Sequence, residues 1–282
     1  MVLNRTAPRI LAVASGKGGV GKTNLAANLA VNLSAQGHRV LLFDADLGLA
    51  NVDVLFGLTP RRNVQDVLKR MERLHEIVIE GPEGVSIIPA SSGVTELADL
   101  PAEQGLRLAQ ELTTLAAGYD LLIVDVPAGI GGNVMRFCSL ADQVLLMTTP
   151  EPTAVTDAYA LAKVLRRKRA GLPIRLVVNM VGHAEEGERV ARAFGDITGH
   201  FLGHSVPYLG SLPWDTHIPI AVRRQKPFVT CYPNVRASHQ LKQLSRALVG
   251  PRERARELET APFPNRVARW LDSWTRPEGE SP

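Results

Sequence analysis

The sequence predicts an α/β protein: a single doubly wound, mainly parallel sheet with helices on both faces. Three observations predict it. Short apolar runs of strand length alternate with segments of helical period, and such alternation closes through right-handed crossovers that cover both faces of a parallel sheet. A glycine-rich loop, Gly16–Thr23, joins the first strand directly to the first helix. The polar motifs fall where apolar runs end, at the edge where open α/β sheets hold their ligands. With 282 residues, 45% of them hydrophobic, the chain can bury a full core as one large domain.

In chain order the strand-like runs are Ile10–Ser15, Val40–Asp44, Val85–Pro89, Leu121–Asp125, Gln143–Thr148, Ile174–Asn179 and Val206–Leu212. Between them, helical periodicity is clearest over Asn24–Ala35, Glu103–Ala116, Thr153–Arg169 and Asn234–Val249. The boundaries expected are residues 1–249 for the folded domain, 250–261 for a charged tether and 262–276 for a terminal helix.

The loop after the first strand reads G-K-G-G-V-G-K-T and satisfies G-x-x-x-x-G-K-[ST] in a strand–turn–helix context. Gly16, Gly18, Gly19 and Gly21 let the backbone wrap closely, and the amides through Val20 join the helix N-terminus in offering positive potential to a polyphosphate. Lys22 would bridge β- and γ-phosphates and the Thr23 hydroxyl would ligate Mg²⁺. Lys17 is a second lysine in the same loop. Its plain alternative is a solvated loop side chain.

The second strand runs into D-A-D-L-G-L-A-N-V-D, with Asp44, Asp46 and Asp53 near the loop. Carboxylates there repel unless a cation or water fills the gap; Asp53 also suits a helix cap. Tyr119–Asp125 is an apolar strand ending in a carboxylate, so Asp125 is a candidate Mg²⁺ holder, through water. It opens D-V-P-A-G-I-G-G, where the Gly129 N–H is expected against a γ-phosphate and would lose that contact on hydrolysis. Asn179 ends a strand with an amide suited to an adenine edge.

Cys138 and Cys231 lie far apart with no C-x-x-C spacing, so neither a disulfide framework nor a zinc site is expected. No stretch approaches the roughly 20 apolar residues of a membrane span, and a cytoplasmic chain is expected. Net charge is +4 and the isoelectric point about 9.3. The basic clusters at Arg166–Arg169, Arg223–Lys226 and Arg252–Arg256 suit DNA or anionic lipid, while the first also suits a helix carboxyl end. His183, His200, His204, His217 and His239 share no ligand spacing and read as surface or capping residues. Beyond the tether, Phe263, Val267, Trp270, Leu271 and Trp274 share one helical face. That stripe fits an amphipathic helix lying on a membrane surface, or one docked on its own domain or a second subunit.

With Lys17 in K-G-G-V-G-K-T, the chain resembles the MinD/ParA family of ATPases. The resemblance implies ATP and Mg²⁺ as ligands and an ATP-dependent homodimer, in which the second lysine reaches the partner's nucleotide as an arginine finger does. It makes Asp46 the residue that helps position the attacking water and the Mg²⁺ shell. Asn51 would sit near partner and nucleotide, and Pro213 and Asp215, in L-G-S-L-P-W-D, would close over the base. The absence of paired cysteines sets the chain apart from related iron–sulfur carriers. Within the family, D-A-D-L-G-L-A-N-V-D and P-E-P-T-A-V-T-D-A-Y-A-L resemble the FlhG/FleN branch. That branch implies control of flagellar number or placement, with an FlhF-type GTPase, a flagellar transcriptional activator or a switch-complex protein as partner. It also implies attachment to the inner membrane surface through the end helix. Only nine residues precede the first strand, so the D-Q-A-x-x-L-R segment with which some relatives stimulate FlhF is not expected here.

Overall fold

A computed structural model describes residues 7–46, 51–69, 71–90, 101–249, 265, 267–268 and 270–272. The strands are β1 (Arg9–Ser15), β2 (Val40–Asp44), β3 (Ile79–Glu80), β4 (Ser86–Ile88), β5 (Leu121–Asp125), β6 (Gln143–Thr148), β7 (Ile174–Val181) and β8 (Tyr208–Pro213). They form one sheet in the order β3-β4-β2-β5-β1-β6-β7-β8, parallel throughout except for the β3–β4 pair. β1 sits between β5 and β6, in register Val13↔Asp125 and Ser15↔Met147. The chain builds one half of the sheet through β5 and then crosses to β6, so the order reverses around β1. Crevices form at such reversals, at the carboxyl ends of the strands.

Each central strand feeds two cores, because successive side chains point to opposite faces. Ile10, Ala12 and Ala14 of β1 join one apolar cluster, whereas Leu11 and Val13 join the other. Leu122 and Val124 of β5 are divided from Leu121 and Ile123 in the same way. The first cluster lies under α3 (Val64–Leu68), α4 (Ala102–Ala116), α5 (Gly132–Leu140), α6 (Pro152–Lys168) and α7 (Ala184–Leu202). The second lies under α1 (Lys22–Ser34), α2 (Val52–Phe56), α8 (His217–Arg223), α9 (Phe228–Cys231) and α10 (Arg236–Val249). Burial on both sides explains why β1, β2, β5 and β6 read as continuous apolar runs.

All seven strands expected from the sequence are present, and β3 is an added antiparallel edge. The four expected helices are α1, α4, α6 and α10. α7 was not among them. It carries Gly187, Gly195 and Gly199, which lower helix propensity. For two of them the reason is packing: a Cβ on Gly187 would lie 2.9 Å from Ser211 Cβ, and one on Gly195 would lie 2.8 Å from Ser205 Oγ.

Trp270 belongs to the first core. It is fully buried, its ring tilted 6.1 Å from that of Phe137 on α5, and Phe137 in turn meets Phe43 edge-on at 5.6 Å. Leu271 packs on the same cluster. The expected lipid-facing stripe is therefore corrected for these two residues, which face protein in this conformation. An indole gains the same apolar burial from a phenylalanine as from lipid, so the stripe alone does not choose. Phe263 and Trp274 of that stripe, and the tether at 250–261, lie outside the described residues. Among the described residues no helix is long and apolar enough to cross a membrane.

Candidate functional site

β1 ends at Ser15, and the next residues turn over the carboxyl edge of the sheet into α1. Two glycines fix the turn for different reasons. Gly16 has no room for a side chain, since a Cβ would lie 2.1 Å from the Asp157 carbonyl of α6. Gly21 caps α1 at φ 93°, where its Cβ would also strike the Asn179 amide at 2.4 Å. Gly18 and Gly19, by contrast, face open space. The loop is thus braced behind and open in front. Its open side carries the free N-terminal amides of a 13-residue helix, a ready site for phosphate.

Asn179 acts as a clamp. Its side-chain N–H donates to the Val20 carbonyl at 2.8 Å, and the residue is buried. β7 carries a register irregularity between Val178 and Val181, and the next residue, Met180, sits at φ 58°. That bulge turns Asn179 toward the loop. The expected role at an adenine edge is therefore joined by a structural one, holding Val20 and Gly21 in place.

Lys22 and Asp125 form the inner wall. Lys22 Nζ lies 2.9 Å from Asp125 Oδ1, and both side chains are nearly inaccessible. Asp125 Oδ2 is buried with no hydrogen-bond partner among the described residues. An orphaned carboxylate oxygen beside a phosphate loop suits Mg²⁺, directly or through water. Thr23, half-buried at the first turn of α1, and Asp46, half-buried past the end of β2, are the other oxygen donors expected for the ion; among the described residues no group of three or more His, Cys, Asp or Glu side chains converges on a metal site.

Asp44 was not singled out by the sequence reading, yet it organises this corner. It pairs in register with Asp125 across β2 and β5. Its Oδ1 accepts from the Asp46 N–H at 3.1 Å, and its Oδ2 accepts from the Asn51 and Val52 N–H groups at 2.9 and 3.1 Å. Burial pushes the Asp44 carboxyl up to about 7, the Asp125 charge adds to the rise, and the three amides oppose it. Asp44 therefore ties both ends of the 46–51 segment to the strand edge. Asn51 itself is exposed at the start of α2.

Lys17 stands on the outer rim. Its Nζ donates to Glu151 Oε1 at 2.7 Å and to Thr153 Oγ1 at 2.8 Å, and Thr153 Oγ1 donates to Glu151 Oε1 at 2.9 Å. Thr153 does not cap the helix it opens: among the described residues α6 has no side-chain cap. The Gly129 N–H is already engaged within the chain. It donates to the Ser15 carbonyl at 2.9 Å, with Gly129 at φ 102°. Contact with a γ-phosphate requires that bond to be exchanged.

Beside the loop lies a cavity of about 400 Å³ lined by Gly19, Gly21, Asn24, Asn179, Pro213, Trp214, Asp215, Ile218 and Phe228, among others. Its size and largely apolar wall suit a nucleobase and sugar. Pro213 and Asp215 are both in its wall. Asp215 is committed locally, accepting from the His217 N–H at 2.9 Å and meeting His217 Nδ1 at 2.7 Å. His183 caps α7, as read from the sequence, accepting the Glu186 N–H at 3.3 Å. Cys138 is buried, and burial pushes its thiol up to about 12, the behaviour of an inert core residue.

Comparison with known proteins agrees with this geometry. The ParA family model, described as an NUBPL iron-transfer P-loop NTPase, matches residues 6–249. The chain is 41% identical to the antiactivator FleN of Pseudomonas aeruginosa over 237 residues, 84% of this chain and 85% of that protein. It is 35% identical to the flagellum site-determining protein YlxH of Helicobacter pylori, over 89% of this chain and 85% of the relative. Among solved structures, the septum site-determining protein MinD of Pyrococcus horikoshii OT3, complexed with Mg-ADP, matches with a TM-score of 0.74 at 27% identity, over 86% of this chain and 96% of that one.

Proposed function

The chain belongs to the ParA/MinD family of P-loop NTPases, and from that premise we propose that it is an ATP-dependent dimerising ATPase of the FleN/FlhG kind that regulates flagellar number or placement. Members of the family are ATPases. The observation that carries the dimer reading is the placement of two lysines on one loop: Lys22 buried against Asp125, Lys17 on the accessible rim. A buried lysine serves its own subunit's nucleotide. A rim lysine has somewhere else to go.

Lys22 leaves Asp125 for the β- and γ-phosphates, and the amides of Gly18–Thr23 receive the remaining phosphate oxygens. Mg²⁺, when bound, neutralises charge on those oxygens. Thr23 and Asp125 would hold it, Asp125 through water, and Asp46 would orient the attacking water. The exchange of the Gly129 N–H from Ser15 to the γ-phosphate reports the triphosphate to the 126–131 loop. Lys17 of each copy reaches the nucleotide of the other and neutralises charge that develops during transfer. Hydrolysis is slow until dimer or partner completes the site.

The partner is a flagellar transcriptional activator, an FlhF-type GTPase or a switch-complex protein; the antiactivator name of the Pseudomonas relative favours the first. Attachment to the inner membrane surface needs the helix bearing Trp270 to leave α5, and two such helices on one dimer would bind far better than one. Two measurements test the reading. Phosphate release from ATP with Mg²⁺ should exceed background, and Lys17→Ala should keep nucleotide binding but lose the dimer. A Lys17→Ala variant that dimerises like the wild type sinks the cross-subunit role. A salt-sensitive shift of nonspecific DNA by the ATP form would move the reading to DNA partitioning.

A further inference from the structure

α1 buries two asparagines one turn apart, Asn28 and Asn32. Asparagine is a poor helix former, and a buried amide has to spend its hydrogen bonds inside the protein. Asn28 spends them in two directions. Its Nδ2 donates to the Asn24 carbonyl one turn back at 2.9 Å, and its Oδ1 accepts the Val229 N–H of α9 at 3.1 Å. α9 needs that acceptor. Its own N-cap is Pro227, which supplies no side-chain hydrogen bond, so Asn28 caps the helix from across the core. Beside Val229, Phe228 lies in the wall of the cavity next to the phosphate loop, as do Asn24 and Leu25 of α1. The far end of α9 is held separately, where Ser238 Oγ of α10 donates to the Tyr232 carbonyl at 2.7 Å. Asn32 makes a different contact, its Nδ2 donating to Ser245 Oγ of α10 at 2.6 Å. One amide thus links the helix that faces the phosphates to the aromatic ring in the cavity wall.

We propose that Asn28 is a positioning residue for the nucleobase. By capping α9 from α1 it fixes Phe228 relative to the phosphate loop. The two parts of a nucleotide, phosphates at the start of α1 and base against Phe228, are then held at one spacing. Loss of the cap frees α9 and weakens the hold on the nucleoside, while the phosphate site stays intact. This role rests on the nucleotide reading above and is independent of the dimer.

Calorimetric titration of the 282-residue chain with Mg-ADP and with Mg-pyrophosphate separates the two parts, because the second ligand carries the diphosphate without the nucleoside. The wild type should bind ADP more tightly than pyrophosphate. Asn28→Ser keeps a hydroxyl for the Asn24 carbonyl but is one atom too short to reach Val229. It should lose about three- to tenfold in ADP affinity, part of the value of a buried hydrogen bond, and under about twofold for pyrophosphate. Asn32→Ser, buried one turn further along the same helix, should leave both affinities unchanged. Hydrogen exchange in the wild type supplies a readout that stands even if Asn28→Ser fails to fold. There ADP should slow the amides of residues 228–232, and pyrophosphate should not. Equal losses for the two ligands in Asn28→Ser, or an ADP loss matched by Asn32→Ser, would make Asn28 a general support of α1 and overturn the proposal. Unchanged ADP affinity in Asn28→Ser overturns it too, as does exchange at 228–232 that pyrophosphate slows as much as ADP. A wild-type chain that binds neither ligand overturns the nucleotide reading itself.

Discussion

Two lysines five residues apart in one loop meet different fates. Lys22 is sealed against Asp125 at the end of β5, and neither side chain is more than 9% exposed. Lys17 pairs with Glu151 in open solvent. The residue type and the pairing chemistry are the same, so burial alone separates them. A buried pair is costly to break from one side, because the charge left behind is uncompensated. An exposed pair is worth little and exchanges readily. The inner lysine is part of the wall, and the outer one is a movable charge.

The comparison is broken most severely at the inner wall. Lys22→Ala leaves Asp125 buried without its cation, and denaturant unfolding should show a loss of about 3 kcal/mol or more in the nucleotide-free protein. Lys17→Ala should cost under about 1 kcal/mol. Equal losses would mean that burial does not distinguish the two.

The next effect separates the back of the loop from its front. Gly16→Ala forces a Cβ into the Asp157 carbonyl and should destabilise by about 1–3 kcal/mol. Gly18→Ala meets nothing within 4 Å, so the fold should keep its stability while nucleotide affinity, followed by calorimetric titration, falls.

A third test uses pH. The Asp44 carboxyl is raised from its ordinary 3.8 to about 7 by burial and then by Asp125. Between those values the folded state binds more protons than the unfolded one. Stability therefore falls as pH rises through this window, and the cost is complete above it. Asp44→Asn removes the charge, so its stability relative to wild type should improve from pH 5 to pH 8 in the nucleotide-free protein. A difference that is flat across that range would show that the Asp44 charge carries no folding cost. The smallest change expected is Thr153→Ala, which removes two exposed hydrogen bonds, one accepted from Lys17 Nζ and one donated to Glu151 Oε1, and should cost about 1 kcal/mol at most.

The inner wall was legible in the sequence and the rim was not. Leu121–Asp125 and Val40–Asp44 appear with the same bounds in both readings, because strands buried on both faces leave an unbroken apolar run. Gly16–Thr23 is legible because few other uses demand that spacing. The pairing of Lys17 with Glu151, by contrast, depends on how β6 returns beside β1, which no local pattern encodes. The clamp at Asn179 depends on a bulge, and bulges leave no periodic trace. Asp44 reads as one of three carboxylates until the sheet register sets it beside Asp125. Trp270 shows the same limit: helical spacing marks an apolar face without saying what covers it.

A triphosphate held between two copies of this chain is what would join them. Sedimentation of this 282-residue chain with a non-hydrolysable ATP analogue and Mg²⁺ tests this directly. The expected result is a species of roughly twice the 30.6 kDa of one chain, absent with ADP and absent for Lys17→Ala. A single 30.6 kDa species at every concentration, with the analogue shown to be bound, would contradict it.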